Sequence, residues 1–83
     1  MEKDILARMR EKGLKISQKR IWIVEAVCDA KCIRDVGAFW MHLRSVKPVS
    51  WATTYSTLRV LSEYGIIEKT NLDGKSIVYR VLE

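Results

Sequence analysis

The sequence predicts an α+β fold in which helices are followed by a C-terminal β-hairpin, and three observations predict it. Apolar residues recur at helical spacing in four segments before Gly65. Three of those segments are preceded by Ser17, Asp35 or Ser50, side chains that accept hydrogen bonds from the unpaired N–H groups of a first helical turn. After Gly65 the pattern changes. Residues 66–72 and 76–82 are rich in β-branched side chains, and Asp73-Gly74 between them is a strong hairpin signal because both residues tolerate positive φ.

The first helix is expected from about Asp4 to Lys12, with Ile5, Leu6 and Met9 on one stripe and Gly13 as its stop. Leu14-Lys15-Ile16 is a short bridge that buries its two apolar residues and turns Lys15 outward. Ser17 caps the second helix, Gln18 to about Ala30, whose expected inner face is Ile21, Val24, Val27 and Cys28. Trp22 falls on the polar side near Gln18, Glu25 and Asp29. A large aromatic placed there is either covered in part by a neighbouring segment or open to a partner. Asp35 caps the third helix, Val36 to Ser45, with Val36, Phe39, Trp40 and Leu43 at i, i+3, i+4 and i+7. Gly37 weakens that helix by about 1 kcal/mol relative to Ala, so packing must hold it. Residues 46–49 are expected to be extended, because Pro48 disfavours a helical Lys47.

The fourth helix, Trp51 to Tyr64, is the element around which the chain is organised. Ser50 caps it and Gly65 ends it. Thr54, Thr57, Leu58, Leu61 and Tyr64 gather on one side as the expected core face, and Ala52, Tyr55, Ser56 and Arg59 gather on another. In the hairpin, Ile77, Tyr79 and Val81 alternate and are expected to face the helices; the first strand alternates less clearly and its register stays open.

Eighty-three residues make one domain, 1–83, with room for a single modest core. The chain is 48% hydrophobic and 30% charged with one Pro, a globular composition. No apolar run approaches the ~20 residues of a membrane span, and the basic N-terminus lacks a signal peptide's apolar stretch, so the expected location is cytoplasmic. Cys28 and Cys32, four apart, are poorly placed to staple a fold and are expected to be reduced, Cys28 as core filler. One His, no nucleophile–base pair and no glycine-rich phosphate loop leave nothing on which to build an enzyme.

The formal charge is +5 and unevenly spread: residues 1–34 carry nine Lys/Arg against five Asp/Glu, residues 35–83 six against five. Arg8, Arg10, Lys12, Lys15, Lys19 and Arg20 form the densest part, interrupted only by Glu11. Such a surface suits a polyanion and serves equally to solubilise a protein. Three helices, a connector, a capped helix and a hairpin carrying Lys69 and Lys75 make the order of a winged helix-turn-helix. In that arrangement a helix enters the DNA major groove and the hairpin lies along phosphates or reaches the minor groove. The candidate DNA-binding residues are Lys15, Lys19, Arg20, Ser50, Ala52, Thr53, Tyr55, Ser56, Arg59, Lys69 and Lys75.

GLKISQKR at residues 13–20, IVEAV at 23–27, SWATTYSTLRVLSEYGII at 50–67 and DGKSIVYRV at 73–81 resemble the DNA-binding domain of the ferric-uptake-regulator family of bacterial metal-responsive repressors. The run Ser50, Ala52, Thr53, Tyr55, Thr57, Leu58 carries most of the resemblance. It implies that Tyr55 touches thymine methyl groups and bases, that Lys15 enters the minor groove, and that Arg20 sits near the DNA backbone. Two departures stand out. The family usually has Arg directly after that tyrosine, where this chain has Ser56, which cannot make the bidentate guanine contact worth about 1–3 kcal/mol of discrimination. Family members also continue past the hairpin into a dimerisation domain holding most of the metal ligands, whereas this sequence ends at Glu83. The family often has a metal-ligating His near the position of Cys32; Cys32 with Asp35 and His42 is a poor set for zinc, so neither metal nor other cofactor is expected. The expected partner is double-stranded DNA, with a homodimer or a partner regulator meeting Trp22 and the apolar surface around it. The competing reading is a winged-helix protein-interaction module that has lost base reading, as Ser56 permits.

Overall fold

The computed structural model describes residues 2–71 and 77–82. Their order is α1 (Glu2–Glu11), α2 (Gln18–Ala30), β1 (Cys32–Ile33), α3 (Val36–Arg44), α4 (Trp51–Glu63), β2 (Ile67–Asn71) and β3 (Ile77–Val81). This is the α+β winged-helix arrangement that the sequence predicts. The Asp73-Gly74 turn and Lys75 lie outside the described residues.

The helix boundaries follow local chemistry. Ser17, Asp35 and Ser50 accept hydrogen bonds from the backbone N–H groups of Arg20, Ala38 and Thr53 at 3.3, 3.0 and 3.1 Å. At the other ends, Gly13 and Gly65 take φ of +73° and +70°. Each permits the same pair of closing bonds: Gly13 N–H to Arg10 O with Leu14 N–H to Met9 O, and Gly65 N–H to Ser62 O with Ile66 N–H to Leu61 O. Tyr64, expected in the core, is instead 46% exposed. It is the cap residue, already off helical geometry at ψ 6°, and Ile66 just past the turn is buried in the core.

The three-stranded antiparallel sheet has the order β1-β3-β2. Ile67 pairs with Val81 and Asn71 with Ile77, which fixes the hairpin register left open by the sequence. β1 was not anticipated; Cys32 and Ile33 pair with Arg80 and Tyr79 and make β3 the central strand. Tyr79 and Val81 join the core as expected, but Ile77, at the far end of the hairpin beside exposed Asn71, is itself exposed. Val78 is buried outside the main core cluster. The β1 connection passes through Lys31, a non-glycine residue at φ 63° whose N–H donates to Val27 O and whose carbonyl accepts from Val81 N–H.

α2 lies at the centre, packed on α1, α4 and β1. Its buried residues are Ile23, Val24 and Val27. Ile21 and Cys28, expected on that face, are only half-buried, because a helix apolar nearly all round is oriented by its several neighbours rather than by a narrow stripe. In α3 only Leu43 is fully buried; Val36, Phe39 and Trp40 pack against the core from its rim. Residues after α3 are not extended throughout: Val46 and Lys47 N–H groups both return to Leu43 O, and Val49 N–H returns to Lys47 O across Pro48. Both cysteines are free thiols. Burial, then the nearby Glu2 carboxylate, pushes the Cys28 thiol pKa up. Among the described residues no helix is long and apolar enough to cross a membrane.

Candidate nucleic-acid interface

α4 is anchored from below. Thr54, Thr57, Leu58 and Leu61 are buried. The two threonine hydroxyls donate to Ser50 O and Thr53 O at 2.9 and 2.7 Å, so the polar groups on the inner face are satisfied by the helix's own backbone. Tyr79, the largest fully buried side chain, lies within electrostatic reach of Tyr55 and Arg59 on this helix. Burial raises its pKa first, nearby Tyr55 adds to that, and the Arg59 guanidinium opposes it.

The outer face presents Ala52, Tyr55 and Arg59, all exposed, with Ser56 and Thr53 half-buried between them. Tyr55 is 39% exposed on this face, not in the core. Its ring stacks on that of Trp51 at 5.9 Å between centroids and 28° between planes. Arg59 lies 3.8 Å from Glu63 one turn on, with both side chains more than half exposed. Such a pair is worth only a few tenths of a kcal/mol and holds Arg59 weakly. Ser50 and Thr53 are engaged with each other: the Ser50 hydroxyl donates to Thr53 Oγ1 at 3.0 Å while accepting from its N–H, so their hydroxyls serve the cap.

In the α1–α2 loop, Leu14 and Ile16 pack toward the core and Lys15 points outward. Arg20 Nη1 donates to the Lys15 carbonyl at 2.8 Å, which ties the guanidinium to the loop and braces the segment that carries Lys15. Lys19 is exposed beside them, as are Arg8, Arg10 and Lys12. On the hairpin Lys69 is exposed on β2. Among the described residues no hydrogen bond or ion pair ties Lys69 to the loop or to α4. Arg80 is paired instead, its Nη2 2.6 Å from Glu68 Oε1, which also accepts from the Thr70 hydroxyl at 3.1 Å.

Sequence reasoning missed an aromatic row on this side of the molecule. Trp51 meets Trp40 edge to face at 5.7 Å, Trp40 Nε1 donates to Val49 O at 3.2 Å, and the Arg44 guanidinium lies 5.0 Å over the Trp40 ring. The i, i+4 spacing of Trp51 and Tyr55 was the available signal. Trp22 is half-buried against the core with the Lys47 ammonium 5.2 Å over its ring. Cys32, Asp35 and His42 do not converge: among the described residues no three His, Cys, Asp or Glu side chains are placed to hold a metal ion.

No curated protein sequence matches this chain. Solved structures do match in fold. A ferric uptake regulator from Pseudomonas aeruginosa with manganese superposes with a TM-score of 0.79 at 22% identity, over 93% of this chain and 59% of that one. A manganese uptake regulator gives 0.82 at 20% identity, over 95% and 59%. PerR from Streptococcus pyogenes, described in terms of peroxide sensing and gene regulation, gives 0.78 at 22% identity, over 96% and 56%. The chain therefore spans under two thirds of the length of each. The model of the ferric uptake regulator family matches residues 11–83, nearly the whole sequence, and the chain belongs to that family.

Proposed function

We propose that this chain is a double-stranded DNA-binding module of a transcriptional regulator, with α4 as the helix that enters the major groove. The observation that carries the reading is the outward Tyr55 on a capped helix whose opposite face is locked into the core. A rigid helix with an uncharged-to-basic outer surface near its first turns has the size and polarity that a major groove admits. Tyr55 and Ala52 offer apolar contact to thymine methyl groups, and Arg59 is free to leave Glu63 for a phosphate. Lys15, on a loop braced by Arg20, reaches toward the minor groove, while Lys19 and Lys69 follow the backbone; Lys75 joins the same set by its place in the sequence between β2 and β3. Ser50 and Thr53 contribute through the cap, which holds the helix start in place, and Ser56 leaves guanine unread.

One recognition helix covers few base pairs, so a single copy should bind in the range of about 10⁻⁴–10⁻⁶ M typical of contacts dominated by phosphates. Fluorescence anisotropy with a short random-sequence duplex tests the reading. Affinity should fall steeply between about 50 and 200 mM salt, and Tyr55→Ala and Lys15→Glu should each weaken binding while leaving the melting transition unchanged. Unchanged affinity in both variants refutes it.

A second reading has an observation of its own. Trp22, Phe39, Leu43 and Val46 line a groove of about 420 Å³ between α2 and α3, with Glu25 and Asp29 beside it and Val46 66% exposed. A second copy or a partner regulator docked there would make the chain a protein-interaction module. Absence of duplex binding at low salt, together with a concentration-dependent rise in mass, supports that reading over the first.

A further inference from the structure

We propose that Trp51 reads DNA alongside Tyr55, the two rings forming an apolar plate that recognises the C5-methyl groups of thymines in neighbouring base pairs. This deepens the proposed role of α4 and rests on it. Trp51 is the first residue of α4, the end that enters a groove, and remains 43% exposed despite its size. It is also held in place. Tyr55 stacks on one side at 5.9 Å, Trp40 meets it edge to face at 5.7 Å, and Trp40 is itself pinned by its hydrogen bond to Val49 O. A side chain fixed in this way loses little freedom on binding.

The dimensions fit base pairs one to two steps apart. A centroid separation of 5.9 Å exceeds the single rise of about 3.4 Å and falls short of two such rises. The chemistry fits thymine. Flat apolar rings cannot imitate the bidentate contacts that read guanine or adenine, but they do contact the methyl group that thymine alone carries into the major groove. Ser56 leaves guanine reading vacant beside them. Arg44, 5.0 Å over the Trp40 ring, puts positive charge at the Trp40 end of the row, where a phosphate strand would run. Each ring keeps about two fifths of its surface open and so remains accessible to a partner.

Two random-sequence duplex pools, one copied with thymidine and one with deoxyuridine triphosphate, differ only in that methyl group. Wild-type protein should prefer the thymine pool by about fourfold per methyl covered. Trp51→Ala should lower that preference by about the same factor while leaving the salt slope unchanged, because an indole releases no counterion. In protein labelled with fluorotryptophan, the Trp51 fluorine resonance should move on adding the thymine duplex, a readout that needs no folded variant. Salt-sensitive binding in which Trp51→Ala keeps the wild-type preference between the pools overturns this inference alone, and equal wild-type affinity for both pools overturns it together with the thymine contact proposed for Tyr55 and Ala52. Loss of duplex binding altogether overturns the proposed role of α4 and this inference with it.

Discussion

Tyr79 is the most instructive residue to perturb. It is 1% exposed, on the central strand of the sheet and near Tyr55 and Arg59 of α4, and among the described residues its hydroxyl has no hydrogen-bond partner. A buried hydroxyl without a partner costs about 1–3 kcal/mol. Tyr79→Phe removes that cost and leaves a void the size of one oxygen, which at about 24 cal/mol per Å³ takes back only about 0.3 kcal/mol. The variant should therefore be more stable by about 1 kcal/mol, or roughly 4–8 °C in Tm for a domain of this size. Urea denaturation at neutral pH measures the gain. A second signature lies at alkaline pH. Burial raises the folded-state pKa of Tyr79, so the unfolded chain ionises first, and stability present below ~10 is lost as pH rises through the folded value. Tyr79→Phe abolishes that part of the alkaline decline, and the gap between variant and wild type should widen above about pH 10. Loss of stability in Tyr79→Phe at neutral pH would refute the reasoning, since it would mean that the hydroxyl bonds to something and holds α4 in place.

Two further predictions follow from the geometry. Lys31 sits at φ 63° with an exposed side chain, and only its backbone is bonded, so Lys31→Gly should relieve about 1–2 kcal/mol of backbone strain against an entropic cost of about 0.5–1 kcal/mol; a urea midpoint that does not rise argues against strain at this corner. Ser56→Arg restores a bidentate guanine reader to the outer face of α4 and should create a preference of about 1–3 kcal/mol for sites with a guanine over those without, measured by competition between duplexes; equal competition means that position 56 does not face bases.

Much of this molecule is legible in its sequence because its boundaries rest on local chemistry. Ser17, Asp35 and Ser50 cap the helices that follow them and Gly13 and Gly65 end the helices that precede them, each through bonds within a few residues. The outward placement of Tyr55 and Lys15 is legible for the same reason, one from helical period and one from a loop with two inward apolar neighbours. What was not legible depends on tertiary partners. β1 has two residues and no period of its own, and it exists because β3 offers a free edge to Cys32 and Ile33. Ile23 rather than Ile21 is buried because α2 is packed by several elements at once. The bond from Arg20 to the Lys15 carbonyl and the Trp40–Trp51–Tyr55 row bring together groups whose sequence spacing states no contact except the one i, i+4 step within α4.

The central claim is that the outer surface of α4 and the loop before α2 together meet a duplex. Amide NMR of the domain during titration with duplex DNA tests it most directly. The account predicts the largest shifts at residues 50–59 and 13–20, with smaller ones at Lys69. Shifts gathered instead around Trp22, Phe39 and Val46, with the α4 amides unmoved, would contradict it.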